Sequence, residues 1–390
     1  MRLKSIAGGL LLSVVFAASA SADTIKIGVI GAFSGPFGIY GSGWQQAFDV
    51  FMKQNGGQID GHDIEFVYRD LPQSNPQQAL SLAQELVIRE KVQYLAGFVF
   101  TADAMAVAPL VTEAKVPTIV LNAGSSPILD ASPYFLRASF TTYQAAVPVA
   151  MFAAEEGAKT VVTMVADYVP GVEEEVAFSG KFKELGGEIL ENIRMPLATT
   201  DFAPFLQRAK AANPDVIFAF LPGGPSAYAY IKTYLDMGMR DSDIRFLGTG
   251  ETQEFDLQAM GDAAIGFETG FIYSAVHEGE VNKAYHAAIA ELYPDAVVSL
   301  PHTEGYDAMG MIAKMIEATK GGRDGDAAMA AVGGMEWEGL RGPLRVDPET
   351  RDLIQNVYMR VVERDAESGL LVNREFKTYE MQPDYFRQTR

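Results

Sequence analysis

The residues able to do chemistry in this chain are few, and their spacing argues for binding before catalysis. Four histidines occur, His62, His277, His286 and His302, and none falls in an HExxH spacing that would hold zinc on one helix face. No G-x-S-x-G elbow is present, and no Ser/His/Asp order stands out. Gly28-Val29-Ile30-Gly31 does not complete a dinucleotide-binding G-x-G-x-x-G, and no Gly-Lys-Ser/Thr closes a P-loop. Glu173-Glu174-Glu175 opens a predicted helix, where acids favour the helix dipole and are expected to be a solvated end. No catalytic residue, metal site or cofactor is expected.

What remains is a set of loops. In parallel α/β sheets ligands sit beyond the carboxyl ends of the strands, where loops enter helices. Four loops have that position: AFSGPFGIY (residues 32–40), Phe100-Thr101-Ala102-Asp103, Asn122-Ala123-Gly124-Ser125-Ser126 and Asp167-Tyr168-Val169-Pro170-Gly171. The second and third are small and hydroxyl-rich. Backbone N–H groups and hydroxyls at helix starts make an anion site that needs no Lys or Arg, and such a site suits a small carboxylate. The plainer alternative is helix capping by Thr101 and by Ser125 or Ser126. Tyr40 and Tyr168 come one from each half of the chain and offer aromatic walls to a cleft, unless each merely packs beside its turn. Glu251, in Gly248-Thr249-Gly250-Glu251, is either an acceptor for an ammonium group or a surface loop acid.

The elements that must carry these loops alternate. A short β-rich run at 25–30 precedes a helix over 41–55. Strands at 64–69, 94–98 and 117–121 alternate with helices over 76–90 and 102–114. This βαβα order predicts a mostly parallel sheet covered by helices. The pattern restarts after Arg137, with helices over 144–156, 172–185, 202–211 and 226–236. The strands of this half lie at 160–165, 188–194, 216–220 and 245–247. The tail differs. An amphipathic helix over 305–319 leads to a polar turn at 321–326, then to strands at 344–346, 356–363 and 370–376. The fold class is therefore α/β, with two Rossmann-like halves and no linker that would separate them as beads.

Composition bounds the rest. A chain of 390 residues with 48% apolar content supports two domains and two cores. The absence of cysteine removes disulfides, thiolate metal sites and a lipid-anchored leader. A formal charge of −19 repels nucleic acid and anionic membranes. Arg2 and Lys4, an apolar run over 6–18 and Ala20-Ser21-Ala22 have the order of an export signal. The apolar run is shorter than the roughly 20 residues of a spanning helix. Cleavage is expected between Ala22 and Asp23, with a periplasmic location and no membrane insertion.

The motifs together resemble the leucine/isoleucine/valine-binding family of periplasmic solute-binding proteins that serve ABC importers. The resemblance is carried by IKIGVIGAFSGPFGIYG (25–41), GHDIEFVYRD (61–70), PTIVLNAGSSPIL (117–129), FAPFLQRAKAANPDVIFAF (202–220), RFLGTGE (245–251) and EGYDAM (304–309). It implies a type I periplasmic binding fold, two lobes joined by three hinge crossings with the ligand between them. Lobe 1 would comprise 24–138 and 272–333, and lobe 2 would comprise 139–271 and 334–390. By position, Thr101 would bind a ligand carboxylate, Gly124 and Ser126 would complete that site, and Tyr40 and Tyr168 would line the cleft. Phe100, Ser125, Pro222 and Glu251 complete the candidate set. Two departures bear on the ligand. Asn122–Ser126 lacks the family's common Ser-x-x-Ala/Thr, and Leu221-Pro222-Gly223-Gly224-Pro225 lacks the aromatic residue usual in amino-acid binders. The resemblance thus implies capture of an amino acid or an organic carboxylate, an aromatic acid among them, and delivery to a permease. Amide and urea binders and a sensor of the same fold are the alternatives.

Overall fold

The computed structural model describes residues 24–366 and 368–389. The export signal and its cleavage point lie outside these described residues. Strands β1 (Ile25–Gly31), β2 (Gln58–Ile59), β3 (His62–Asp70), β4 (Tyr94–Gly97), β5 (Thr118–Val120) and β6 (Phe135–Arg137) form one sheet in the order β2-β3-β1-β4-β5-β6. All neighbours run parallel except the short β2–β3 hairpin. The second sheet holds β7 (Thr160–Asp167), β8 (Glu188–Pro196), β9 (Val216–Phe220), β10 (Arg245–Gly248), β11 (Glu268–Phe271), β12 (Glu336–Gly339), β13 (Gly342–Val346), β14 (Leu353–Arg364) and β15 (Leu371–Gln382). Its order is β12-β13-β14-β11-β10-β9-β7-β8, with β15 also on β14. It is parallel from β8 to β11 and antiparallel beyond.

Helices α1 (Gly38–Gln54), α2 (Pro76–Gln84) and α3 (Thr101–Ala114) belong to the first unit. Helices α4 (Thr142–Glu155), α5 (Val169–Glu184), α6 (Ala203–Ala212), α7 (Pro225–Asp236) and α8 (Glu254–Met260) belong to the second. Later come α9 (Glu280–Leu292), α10 (Leu300–Thr319) and α11 (Gly325–Val332). Strand periodicity explains the layering. In β9, Val216, Phe218 and Phe220 face the core under α4 and α5, while Ile217 and Ala219 face the core with Leu206 of α6 and Tyr230 of α7. In β1, Ile25, Ile27 and Val29 face Trp44 and Phe48 of α1, and Ile30 faces Ala79 and Val107 of α2 and α3.

The chain passes from the first sheet to the second after β6. It returns after β11 to set Met309 and Ile312 of α10 and Val332 of α11 in the first unit's core, then crosses again before β12. Leu344, Val346 and Leu353 belong to second-sheet strands but are buried in the first unit's core, so the meander ties the two units at their junction. Buried ion pairs reinforce that junction: Arg137 with Asp352 at 2.6 Å, and Arg341 with Asp307 at 3.5 Å.

Several elements differ from the sequence expectation. The helix expected over 76–90 stops at Gln84 and continues as one wide turn, Glu85–Arg89, with Arg69 bridging to Glu85 at 2.7 Å. The polar turn at 321–326 already contains the start of α11, capped by the Asp324 carboxylate. Strands β6, β11 and β12 are only three or four residues long and carry too little periodicity to stand out.

Candidate functional site

The junction of the two units is built from strand ends that turn directly into helices. In the first unit the Gly41 N–H donates to the Ala32 carbonyl at 2.9 Å, and a Cβ at Gly41 would stand 2.3 Å from that oxygen. Gly171 makes the same close approach in the second unit, where a Cβ would meet the Ala166 carbonyl at 2.0 Å. Only glycine lets these helices start so close to their strands. The result is that Tyr40 on α1 and Tyr168 at the N-cap of α5 both stand at a strand exit.

Aromatic rings from both units meet there. Tyr40 is buried and lies 6.1 Å from Phe255 of α8, edge to face, across the two units. Phe37 meets Phe100 edge-on at 5.0 Å. Tyr168 stacks on Phe220 at 6.1 Å and 10°. Burial, and then the charges of Glu174, Tyr40, Glu251 and Glu173, push the Tyr168 phenol well above its ordinary range. The loop containing Pro222 is half-buried. Its Gly223 packs against Gln253 and Phe255, so α8 brings to this place the ring that the 221–225 segment lacks.

The hydroxyl-rich loops are not helix caps. Phe100 is the N-cap of α3 and Ser125 that of the short 3-10 turn Ser126–Ala131, and neither cap has a side-chain hydrogen bond. The Thr101 hydroxyl at the first position of α3 is buried with no hydrogen-bond partner among the described residues. Ser125 and Ser126 are committed elsewhere. Ser125 donates its hydroxyl to Glu173 at 2.6 Å, and the Ser126 N–H donates to the other Glu173 oxygen at 3.3 Å. Thr142 of α4 donates to Glu173 at 2.6 Å. The Ser126 hydroxyl, expected to complete a ligand carboxylate site, instead donates to Asp384 at 2.9 Å in the terminal segment. Gly124 offers its carbonyl to the Thr142 N–H at 2.9 Å, and a Cβ there would crowd the Phe140 ring at 3.1 Å. Arg137 fixes the loop from behind by donating to the carbonyls of Ala123 and Ser125.

The acidic run on α5 corrects the sequence expectation most clearly. It is not a solvated helix end. Glu174 and Glu175 are buried and Glu173 is half-buried. Successive helical residues point about 100° apart, so the three acids serve three neighbours. Glu173 reaches the first unit's serines, Glu174 accepts from the Thr249 hydroxyl at 3.0 Å, and Glu175 pairs with Arg194 of β8 at 2.8 Å. Burial raises Glu173, and burial followed by the charge of Glu251 raises Glu174 well above the ordinary carboxylate range.

Glu251 is not a surface acid either. It is fully buried, and its two oxygens accept from the N–H groups of Leu221 at 2.8 Å and Thr249 at 2.7 Å. Burial pushes it up to about 7, against the pull of those N–H groups. Its geometry is that of a staple between two second-unit loops. Two of the histidines hold structural posts. Buried His302 completes a capping box with Ser299 and is pushed down to about 4 by burial, so it is neutral. His277 pairs with Glu375 at 3.0 Å. No group of three or more potential metal ligands occurs among the described residues.

Known proteins agree with this architecture. A family model described as periplasmic binding protein matches residues 24–367. A Leu/Ile/Val-binding protein homolog 6 of Brucella abortus is 46% identical over 385 residues, 98% of each chain. A solute-binding protein of an ABC transporter from Rhodopseudomonas palustris HaA2, solved with p-hydroxybenzoic acid, superposes with a TM-score of 0.91. It is 44% identical, and the match covers 94% of this chain and 100% of that one. Another, from Rhodopseudomonas palustris BisB5 with 3,4-dihydroxybenzoic acid, has a TM-score of 0.88 and 39% identity over 93% of this chain and 99% of that one. Its two mostly parallel sheets match the fold of these relatives, and the chain belongs to the periplasmic binding protein family, as a solute-binding receptor of the leucine/isoleucine/valine-binding type with the type I fold.

Proposed function

We propose that this receptor captures a small aromatic carboxylate and delivers it to the permease of an ABC importer. One observation carries the ligand class. The acid expected to meet an ammonium group, Glu251, has both oxygens occupied by backbone N–H groups, while the same cleft gathers Phe37, Tyr40, Phe100, Tyr168 and Phe255. A ring needs such walls, whereas Glu251 is held as a staple between its loops. The relatives solved with hydroxybenzoates support the same reading.

In this reading 24–138 with 272–333 form one lobe and 139–271 with 334–390 the other. The ligand carboxylate takes the Thr101 hydroxyl at the N-terminal end of α3, where the helix dipole favours an anion. Tyr40 and Phe100 on one lobe and Tyr168 and Phe255 on the other enclose the ring. Closure excludes water and strengthens the hydrogen bonds that hold the carboxylate. Gly124 and Pro222 shape the walls, and Ser125 and Ser126 hold the lobes through Glu173. No bond is made or broken in the ligand, and the chain works outside the cytoplasm.

The test is calorimetric titration of the purified protein with 4-hydroxybenzoate, benzoate and leucine. Saturable binding of an aromatic acid with no leucine binding is expected. Leucine binding without aromatic-acid binding would overturn the assignment.

A further inference from the structure

Glu174 differs from its neighbours in how its carboxyl group is satisfied. Glu175 is paired with Arg194, and Glu251 has an N–H on each oxygen. Glu174 is fully buried, receives one hydroxyl from Thr249 at 3.0 Å on Oε2, and has no partner for Oε1 among the described residues. Gln253, buried two residues after Glu251, likewise has an unpartnered Oε1. Its side chain lies beside Gly223 and Gly250, the same loops that surround the Glu251 staple, and next to Phe255. Glu174 in turn is the acid with the largest effect on the Tyr168 phenol, which also feels Tyr40 from the opposite lobe. Two buried polar atoms without partners thus lie on the second lobe, one on the acid bonded to Thr249 and one on the glutamine two residues before Phe255. A buried carbonyl or carboxyl oxygen left without a hydrogen bond is costly, so such atoms point to a group that arrives with the ligand.

We infer that Glu174, assisted by Gln253, forms a polar end of the cleft that recognises a hydroxyl group on the ligand ring. The inference rests on the aromatic-acid reading and narrows it to hydroxylated aromatic acids. A phenolic hydroxyl is both donor and acceptor. The Gln253 carbonyl oxygen accepts its proton. The Glu174 carboxyl, with Oε1 unpartnered beside the Thr249 hydroxyl bond, offers an oxygen to the phenol proton. A ring without that hydroxyl enters the same walls but leaves both oxygens unpaired. A site built to bond a hydroxyl discriminates against the analogue lacking it far more strongly than an apolar pocket does.

The experiment is calorimetric titration of wild type, Glu174→Gln and Glu174→Met with 4-hydroxybenzoate and with benzoate, each variant checked by its thermal transition. Wild type is expected to prefer 4-hydroxybenzoate by at least about tenfold. Glu174→Met should compress that preference to within about threefold, whereas Glu174→Gln, whose amide still donates and accepts, should retain part of it. Equal binding of the two acids by wild type, or a full preference kept by folded Glu174→Met, overturns the inference while leaving the aromatic-acid reading intact. Binding of neither acid overturns both. If Glu174→Met does not fold, the wild-type ratio and Glu174→Gln decide.

Discussion

Glu173 is a side chain whose removal should change how the lobes hold together. Two hydrogen bonds cross from its carboxylate to the first lobe, from the Ser125 hydroxyl at 2.6 Å and the Ser126 N–H at 3.3 Å. The Thr142 bond stays within the second lobe and survives opening. A hydrogen bond to a charged group contributes about 1.5–3 kcal/mol, and the 3.3 Å bond lies beyond the usual range and belongs at or below the low end. Glu173 is half-buried, and water re-solvates it when the lobes part. About 2 kcal/mol is therefore the expected loss from closure in Glu173→Ala, roughly a thirtyfold shift toward the open form. A ligand trapped by closure loses affinity by up to the same factor, because its apparent affinity scales with the population able to enclose it. Glu173→Gln keeps the shape with weaker bonds and should lose roughly three- to tenfold. Titration with 4-hydroxybenzoate measures the affinity, and small-angle scattering reads the opening. Ser125→Ala should mimic Glu173→Ala in part, and the double variant should fall short of the sum because the two share one contact. An affinity for Glu173→Ala within about threefold of wild type, with an unchanged scattering profile, would refute the latch.

Other consequences can be measured directly. Thr101→Val removes a hydroxyl that has no partner in the structure. The variant should unfold within about 0.5 kcal/mol of wild type yet bind an aromatic acid about 1–3 kcal/mol more weakly; an unchanged affinity would remove Thr101 from the carboxylate site. Gly171→Ala places a methyl group against the Ala166 carbonyl and should cost about 1–3 kcal/mol in urea unfolding, whereas a surface Gly180→Ala, which meets nothing within 4 Å, should not. Stability should fall as pH rises from about 6.5 to 8. Glu251 and Glu304, raised by burial to about 7 and about 8, bind protons in the folded state that the unfolded chain has already released. His302, lowered to about 4, opposes this trend only below about 6.5. Calorimetric melting should show the decline, Glu304→Gln should flatten part of it, and a melting temperature that rises over this interval would contradict the burial of these acids.

Much of the fold was legible because its strands are apolar on both faces and its helices follow at regular intervals. VIFAF at β9 reads as a covered strand with no help from elsewhere, and the places of Thr101, Tyr40 and Tyr168 at helix starts were legible because each follows a strand end. The acids of α5 were misread for a physical reason. A glutamate at a helix start looks the same in sequence whether water or a distant serine satisfies it, and the partner of Glu173 is 48 residues away. Ser126 is paired with Asp384 across 258 residues, and no local pattern announces that contact. Phe255 was not singled out because it sits on a seven-residue helix whose aromatic reaches Tyr40 only through the packing of α8 against the 221–224 loop. Short strands such as β6 exist because neighbours supply their hydrogen bonds, a tertiary effect that three residues cannot encode.

A crystal structure of the protein grown with 4-hydroxybenzoate tests the enclosure of an aromatic acid between the lobes most directly. The carboxylate is expected within hydrogen-bond distance of the Thr101 hydroxyl, with the ring between Tyr40 and Tyr168 and Glu173 still bonded to Ser125 across the closed lobes. A ligand bound outside the cleft, or one whose carboxylate faces away from α3, would contradict it.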